Sequence, residues 1–210
     1  MHGFRRLRAT ALLCFASALL TAVCLRAGEE PAAGAQAGDA AAKEAEYMAR
    51  MLELATPGPE HESLGKEAGV RVMDMEFDWM GTGSWTKVRA DAVCKPILGG
   101  RYMQEDVSFT MEGMPMQGIS IVGYDKLKGE YTSLWMDSMS TWWITSRGKR
   151  GADGVVDFKG SMVDLAGERP FRQTIKHEAD GAIHMRMYDT IAGKEVEVMR
   201  SISRPAKSGK

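Results

Sequence analysis

From Gly69 onward the apolar positions of the chain recur at every second residue. Met73, Met75, Phe77 and Trp79 alternate with Asp74, Glu76 and Asp78, the pattern of a strand with one buried face. Val88, Ala90, Ala92 and Cys94 alternate in the same way with Lys87, Arg89 and Asp91. Further runs follow at Met103 to Met111, Ile119 and Ile121, Leu134 and Met136, Trp142 to Ser146 and Val155 to Met162. Phe171 to His177, Ile183 to Asp189 and Val196 to Ile202 complete the series. Turn signals separate nearly all of them: Met114-Pro115, Asp125 to Gly129, Ala152-Asp153-Gly154, Ala179-Asp180-Gly181 and Ala192-Gly193. About ten short strands joined by tight turns predict an all-β antiparallel meander, and closure into an up-and-down barrel removes its edges.

Two hairpins have a readable register. Taking Ala179-Asp180-Gly181 as a three-residue loop, with Gly181 left-handed, puts Ile183, Met185 and Met187 on one face with Phe171, Ile175 and His177. A two-residue loop would oppose that apolar row to Arg172, Thr174 and Lys176, so the pattern selects the first register. A four-residue loop from Lys126 to Gly129 places Val122 and Tyr124 on one face with Tyr131, Ser133 and Trp135. Ile119, Ile121, Leu134 and Met136 take the other face.

The N-terminal quarter reads differently. Arg5, Arg6 and Arg8 precede an uncharged apolar run from Ala11 to Val23, followed by small residues from Ala27, which predicts a secretory signal peptide over residues 1–27. The run is too short for a membrane-spanning helix, so no transmembrane span is expected after its removal. The expected location is secreted or periplasmic. Thr21-Ala22-Val23-Cys24 resembles a lipoprotein box only faintly, which makes anchoring through Cys24 the minority alternative. Residues 28–56 are read as an Ala/Gly-rich flexible tether, covering Gly28 to Ala42, with an amphipathic helix from about Ala40 to Ala55. Its apolar stripe of Met48, Met51, Leu52 and Ala55 is expected to dock on the main domain. A second short helix is predicted over Glu60 to Lys66, within a barrel domain of residues 57–204 and before a tail of residues 205–210.

Composition narrows the function. Lys plus Arg number 27 against 28 Asp plus Glu, and loss of the signal peptide leaves 23 against 28, a net charge of −5. Such a balance excludes an electrostatic nucleic-acid binder. Only Cys94 lies in the folded part, so no internal disulfide forms, and it reads as a small apolar strand residue. His177 and His184 fall on opposite faces in the selected register, so they do not converge on a metal. His61 reads as a helix-surface or capping residue. Gly118-Ile119-Ser120-Ile121-Val122-Gly123 lacks the spacing of a nucleophile elbow. The carboxylates, alternating along strands, read as a solvated outer face with no acid/base dyad. No cofactor is expected and no enzymatic motif stands out. Methionine is the oddity, with 16 in the chain, thirteen of them between Met73 and Met199. Most follow apolar strand parity and fill an adaptable interior, while Met111 to Met116 suggests a soft-donor Cu(I) alternative.

Six blocks occur in order: Thr56-Pro57-Gly58-Pro59-Glu60-His61-Glu62, Leu98-Gly99-Gly100-Arg101-Tyr102, Glu112 to Gly118, Gly123-Tyr124-Asp125, Leu134 to Thr141 and Met187-Tyr188-Asp189. Together they resemble the bacterial domain-of-unknown-function 1579 family over about Thr56 to Arg204. The resemblance implies a lipocalin-like barrel of the calycin type. Such domains carry Gly-x-Trp on the first strand, whereas this chain has Gly69-Val70-Arg71. The aromatic that plugs the barrel base is therefore missing or replaced, with Trp79 and Trp85 as the available substitutes.

The reading that follows is a non-enzymatic exported barrel that binds a small apolar or amphipathic ligand. The alternative is a ligand-free structural or interaction barrel. The expected ligand-binding face carries Tyr124, Tyr131, Trp135 and Asp137, with Arg101 and Tyr188 near it. It combines aromatic bodies with hydroxyl and carboxylate tips, as apolar pockets with a few orienting groups do. Asp137 could instead only start the turn Asp137 to Ser140.

Overall fold

The alternating pattern is realised as ten antiparallel strands in the computed structural model, which describes residues 33–165 and 167–207. The expected signal peptide and the Cys24 alternative lie outside the described residues. The strands are β1 (Gly69–Phe77), β2 (Thr86–Ile97), β3 (Tyr102–Met111), β4 (Met114–Asp125) and β5 (Glu130–Asp137). They continue as β6 (Ile144–Arg150), β7 (Val156–Asp164), β8 (Gly167–His177), β9 (Ile183–Ile191) and β10 (Lys194–Pro205). Each pairs with its neighbour in sequence, and β1 pairs with β10, so the sheet closes into a barrel. Closure leaves no strand edge, which answers the aggregation hazard of a long meander.

Both hairpin registers match the sequence pattern. Gln173 faces Met187, Ile175 faces Met185 and His177 faces Ile183, with Gly181 at φ 83° in the loop. Tyr124 faces Tyr131 and Ser120 faces Trp135 across the β4–β5 hairpin. Two boundaries differ. The turn placed at Met114-Pro115 is instead Glu112-Gly113, both with positive φ (51° and 80°), as a two-residue hairpin requires, and Pro115 lies within β4. Trp79, Trp142 and Trp143 fall outside the strands, in the β1–β2 and β5–β6 connections. In β10 the register shifts between Glu197 and Met199, and the fully buried Val198 turns its carbonyl to the Asp78 N–H (2.8 Å).

Two helices precede the barrel, α1 (Ala33–Ala55) and α2 (Pro59–Gly65). α1 covers Ala33–Ala55, so part of the stretch read as a tether is helical: its Ala-rich composition favours helix over coil. The chain divides after Glu46, and only the end of α1 belongs to the unit that contains the barrel. The expected docking of the apolar stripe is corrected there. Tyr47, Met48, Met51 and Leu52 are exposed, Leu52 at 71%. The helix end is held by polar contacts instead, Lys126 Nζ donating to Glu53 O (2.7 Å) and Thr56 O (3.0 Å). No described helix is long and apolar enough to cross a membrane.

α2 lies against β2, β3 and β4 at the end of the barrel where β1 begins. Gly58 N–H donates to His61 Nδ1 (3.0 Å), so His61 caps the helix, buried against Tyr124 rather than at the surface. Leu64 inserts beside Cys94, Met103, Tyr131, Val156 and Phe158. The base of the barrel is thus closed by a helix. Arg71 occupies the inward position where an aromatic was expected, donating to Ser203 Oγ (2.8 Å), Ser203 O (3.1 Å) and Gly181 O (2.8 Å). Neither proposed substitute plugs the base. Trp79 lies at the opposite end, packed against Phe77 with ring centroids 5.1 Å apart and the planes tilted by 32°, and Trp85 lies under the Arg200 guanidinium.

Candidate functional site: the barrel interior

The inward rows of the strands enclose a cavity of about 330 Å³. At the base it is bounded by Leu64, Glu67, Glu105 and His177, and toward the far end by Phe77, Trp79, Met111, Trp135, Ile144 and Met162. Glu105 and Met111 lie six residues apart on β3, so the cavity runs roughly 20 Å along that strand at about 3.3 Å per residue. Nine methionines line it: 73, 75, 103, 111, 116, 162, 185, 187 and 199. Alternation in ten strands delivers these side chains inward. Their flexible thioethers form a wall able to conform to irregular shapes.

The two ends differ in chemistry. The far end is surrounded by the β1–β2, β3–β4, β5–β6, β7–β8 and β9–β10 connections. Trp79 both lines the cavity and is half exposed, and Met80, Met139, Trp142 and Trp143 stand exposed in the adjoining connections, Trp143 at 67%. Asp78 fixes the β1–β2 connection: its carboxylate accepts from Thr82 N (3.0 Å), Thr82 Oγ1 (3.2 Å) and Gly83 N (2.6 Å). On the opposite sector Arg169 ties Asp164 (2.8 Å) to the buried Asp189 (2.8 Å), and these carboxylate bonds raise its pKa above the usual arginine range.

Of the residues selected from sequence, Tyr131, Trp135 and Asp137 line the cavity. Tyr131 is buried at the base, where Arg150 Nη2 donates to its hydroxyl (3.0 Å). Trp135 lies over Gly118, whose missing side chain gives the indole its space. Asp137 performs two tasks: Oδ2 accepts from Trp135 Nε1 (2.8 Å), and Oδ1 accepts from Met139 N (2.9 Å), starting the turn. Its carboxylate therefore positions Trp135. Tyr124 packs beneath α2, 5.0 Å from the Tyr131 ring, and is not on the cavity wall. Arg101 and Tyr188 lie away from the cavity wall. Arg101 is exposed in the β2–β3 connection, donating to Leu98 O (3.0 Å). Tyr188 faces outward, with the Arg172 guanidinium 4.0 Å from its ring centroid, because it pairs with Arg172 on the outer row. Met111 and Met116 turn inward while Met114 is exposed at the rim.

The base holds a polar group that the alternation argument missed. Glu67 Oε1 lies 2.6 Å from His177 Nε2. Glu105 stands directly opposite Cys94, whose thiol lies 3.6 Å from Oε1. Burial above all, and then repulsion from Glu67, push the Glu105 carboxyl above the usual range. Burial followed by the charges of Glu105 and Glu67 pushes the Cys94 thiol far up, so it stays protonated. Glu105 was read as part of a solvated outer face, yet it shares parity with Met103, Val107 and Phe109. Arg71 likewise shares parity with Met73 and Met75. A charged residue on the apolar row of a strand was the available signal. Among the described residues, no cluster of three or more His, Cys, Asp and Glu side chains could hold a metal ion.

Fold and interior together define a closed ten-stranded antiparallel β-barrel with an internal cavity, apolar along its length and polar at its base. Residues 56–204 match the family described as protein of unknown function (DUF1579), and the chain belongs to that family. No curated protein matches the chain.

Proposed function

We propose that the protein is an exported, non-enzymatic carrier or sensor that takes a small apolar or amphipathic ligand into the barrel, in the manner of a lipocalin-like, calycin-type fold. The observation that carries this reading is the methionine-lined cavity of about 330 Å³, at the lower end of the roughly 300–1,000 Å³ typical of ligand pockets. A barrel serving only as a packed scaffold would fill its interior with side chains. The exposed tryptophans and methionines at the far end supply an apolar entrance, and Trp135, held by Asp137, forms part of the wall just inside it. Export rests on the basic, apolar and small-residue order of residues 1–27.

Native mass spectrometry of the purified protein tests the reading directly, the expected result being an adduct that denaturation releases. An environment-sensitive apolar dye gives a second readout: the parent takes it up, and Trp135→Phe weakens uptake while the cooperative thermal transition remains. A parent protein with neither an adduct nor dye uptake is a structural barrel, and the proposal fails.

A further inference from the structure

Among the described residues that line the cavity, Arg150 is the one lysine or arginine. It shares strand parity with Ser146 and Gly148, so alternation turns it to the inner row of β6. Every other arginine of β6 to β10 forms an ion pair, from Arg147 with Glu130 to Arg204 with Asp74. Arg150 meets only neutral oxygens. Nε (3.2 Å) and Nη2 (3.0 Å) donate to the Tyr131 hydroxyl, and Nη1 donates to Gly154 O (3.0 Å). These bonds leave part of the guanidinium's donor set without an acceptor among the described residues.

The Tyr131 hydroxyl is a second, independent pointer. Tyr131 is 3% exposed and lines the cavity. Its oxygen accepts from Arg150, while its own O–H has no acceptor among the described residues. A buried donor left idle costs stability until an acceptor reaches it. Ser133 and Ser146, directly paired on β5 and β6, line the same stretch of wall, and their hydroxyls also make no side-chain hydrogen bond among the described residues. A cation with neutral partners beside idle hydroxyl donors calls for an anionic acceptor.

The acidic groups of the base stand apart from this pair. Glu105 lies on β3, separated from β6 by β4 and β5, and Glu67 is engaged by His177 on β8. Neither is in ion-pair contact with Arg150. Burial and then Glu67 dominate the surroundings of the Glu105 carboxyl, and the cation that reaches it is Arg71, not Arg150. Held toward its neutral form, Glu105 opposes a nearby negative charge less than a carboxylate would. Arg150 is also open to solvent, so an anion bound there keeps part of its hydration and avoids the penalty of full burial.

We infer that the barrel takes an anionic amphiphile, its carboxylate accepting from the Arg150 guanidinium and the Tyr131 hydroxyl and its flexible apolar body lying along the methionines. This rests on the ligand-binding reading above and specifies the head group. Charge-assisted hydrogen bonds favour a carboxylate over a neutral head on the same chain, and an ammonium head would meet a guanidinium.

The test titrates the full chain by calorimetry, below micellar concentrations, with decanoate, decanol and decylammonium, which share a chain and differ in the head. At pH 7 decanoate is expected to bind about tenfold or more tighter than decylammonium, and about threefold or more tighter than decanol. This comparison is made in the parent, so it does not depend on whether a variant folds. Arg150→Gln should reduce the preference over decylammonium to about threefold or less. Arg150→Lys, which keeps the charge and loses the planar fork, should fall between. Tyr131→Phe should bring decanoate and decanol to about parity. Decylammonium binding as tightly as decanoate, or unchanged ratios in cooperatively folding Arg150→Gln or Tyr131→Phe, overturns the anionic head and leaves the ligand-binding reading standing. Failure of all three probes to bind overturns both.

Discussion

The contact between Trp135 and Gly118 offers the sharpest test of how the wall of the cavity is built. A β-carbon added at Gly118 would stand 2.2 Å from Trp135 Cη2, 2.5 Å from Cζ2 and 3.1 Å from Cζ3. Gly118 is not among the residues with positive φ, so alanine strains no backbone angle there and the cost is steric. The indole cannot give way freely, because Nε1 donates to Asp137 Oδ2 at 2.8 Å. If the strands shift instead, overpacking costs about 1–3 kcal/mol. If the ring swings out, the bond to a carboxylate is lost, worth about 1.5–3 kcal/mol. Either route gives Gly118→Ala a destabilisation of about 1–3 kcal/mol, a fall in Tm of roughly 2–12 °C for a chain of this size. Urea unfolding followed by circular dichroism should show a lower midpoint with an unchanged slope. In a Trp135→Leu background the same alanine should cost at least about 1 kcal/mol less, since the clash is gone. A midpoint for Gly118→Ala equal to that of the parent, or strict additivity in the double mutant, would refute the packing described here.

Glu105 makes stability depend on pH. Its folded-state pKa is raised above the unfolded value of about 4.3, first by burial and second by Glu67, so its contribution is fully present below the unfolded value and is lost as pH rises through the folded one. Glu105→Gln should therefore gain stability relative to the parent between pH 4 and pH 8, with a slope of at most about 1.4 kcal/mol per pH unit, and a pH-independent difference in denaturant unfolding would contradict the raised carboxyl. Asp78→Ala removes the acceptor for Thr82 N, Thr82 Oγ1 and Gly83 N and should cost about 2–3 kcal/mol. Amide hydrogen exchange should then accelerate at Thr82 and Gly83 while β1 amides paired with β10 stay protected. Equal exchange in both proteins would mean that the carboxylate does not order the connection bearing Trp79.

Local pattern determined a large part of this protein. Period-two alternation and turn chemistry specify ten strands, their order and two registers, because a one-residue slip would turn every methionine of a strand to the opposite face. That Tyr131, Ser133 and Trp135 share one row of the β4–β5 hairpin was legible for the same reason, but that this row faces inward was not, because Ile119, Ile121, Leu134 and Met136 make the opposite row equally apolar. Tertiary structure alone decided what stands at the ends of those rows. Parity says which face a side chain takes, and neither how far along the barrel axis it lies nor what comes across from a distant strand. Tyr188, by contrast, has the parity opposite to Met185 and Met187, and its outward place beside Arg172 follows from that alternation. Arg71 and Ser203 are 132 residues apart and meet only because β1 closes on β10. Glu67 reaches His177 only because the chain leaving α2 lies over the base of the closed barrel. Contacts formed by closure depend on the curvature of the whole sheet, a property that no window of sequence contains.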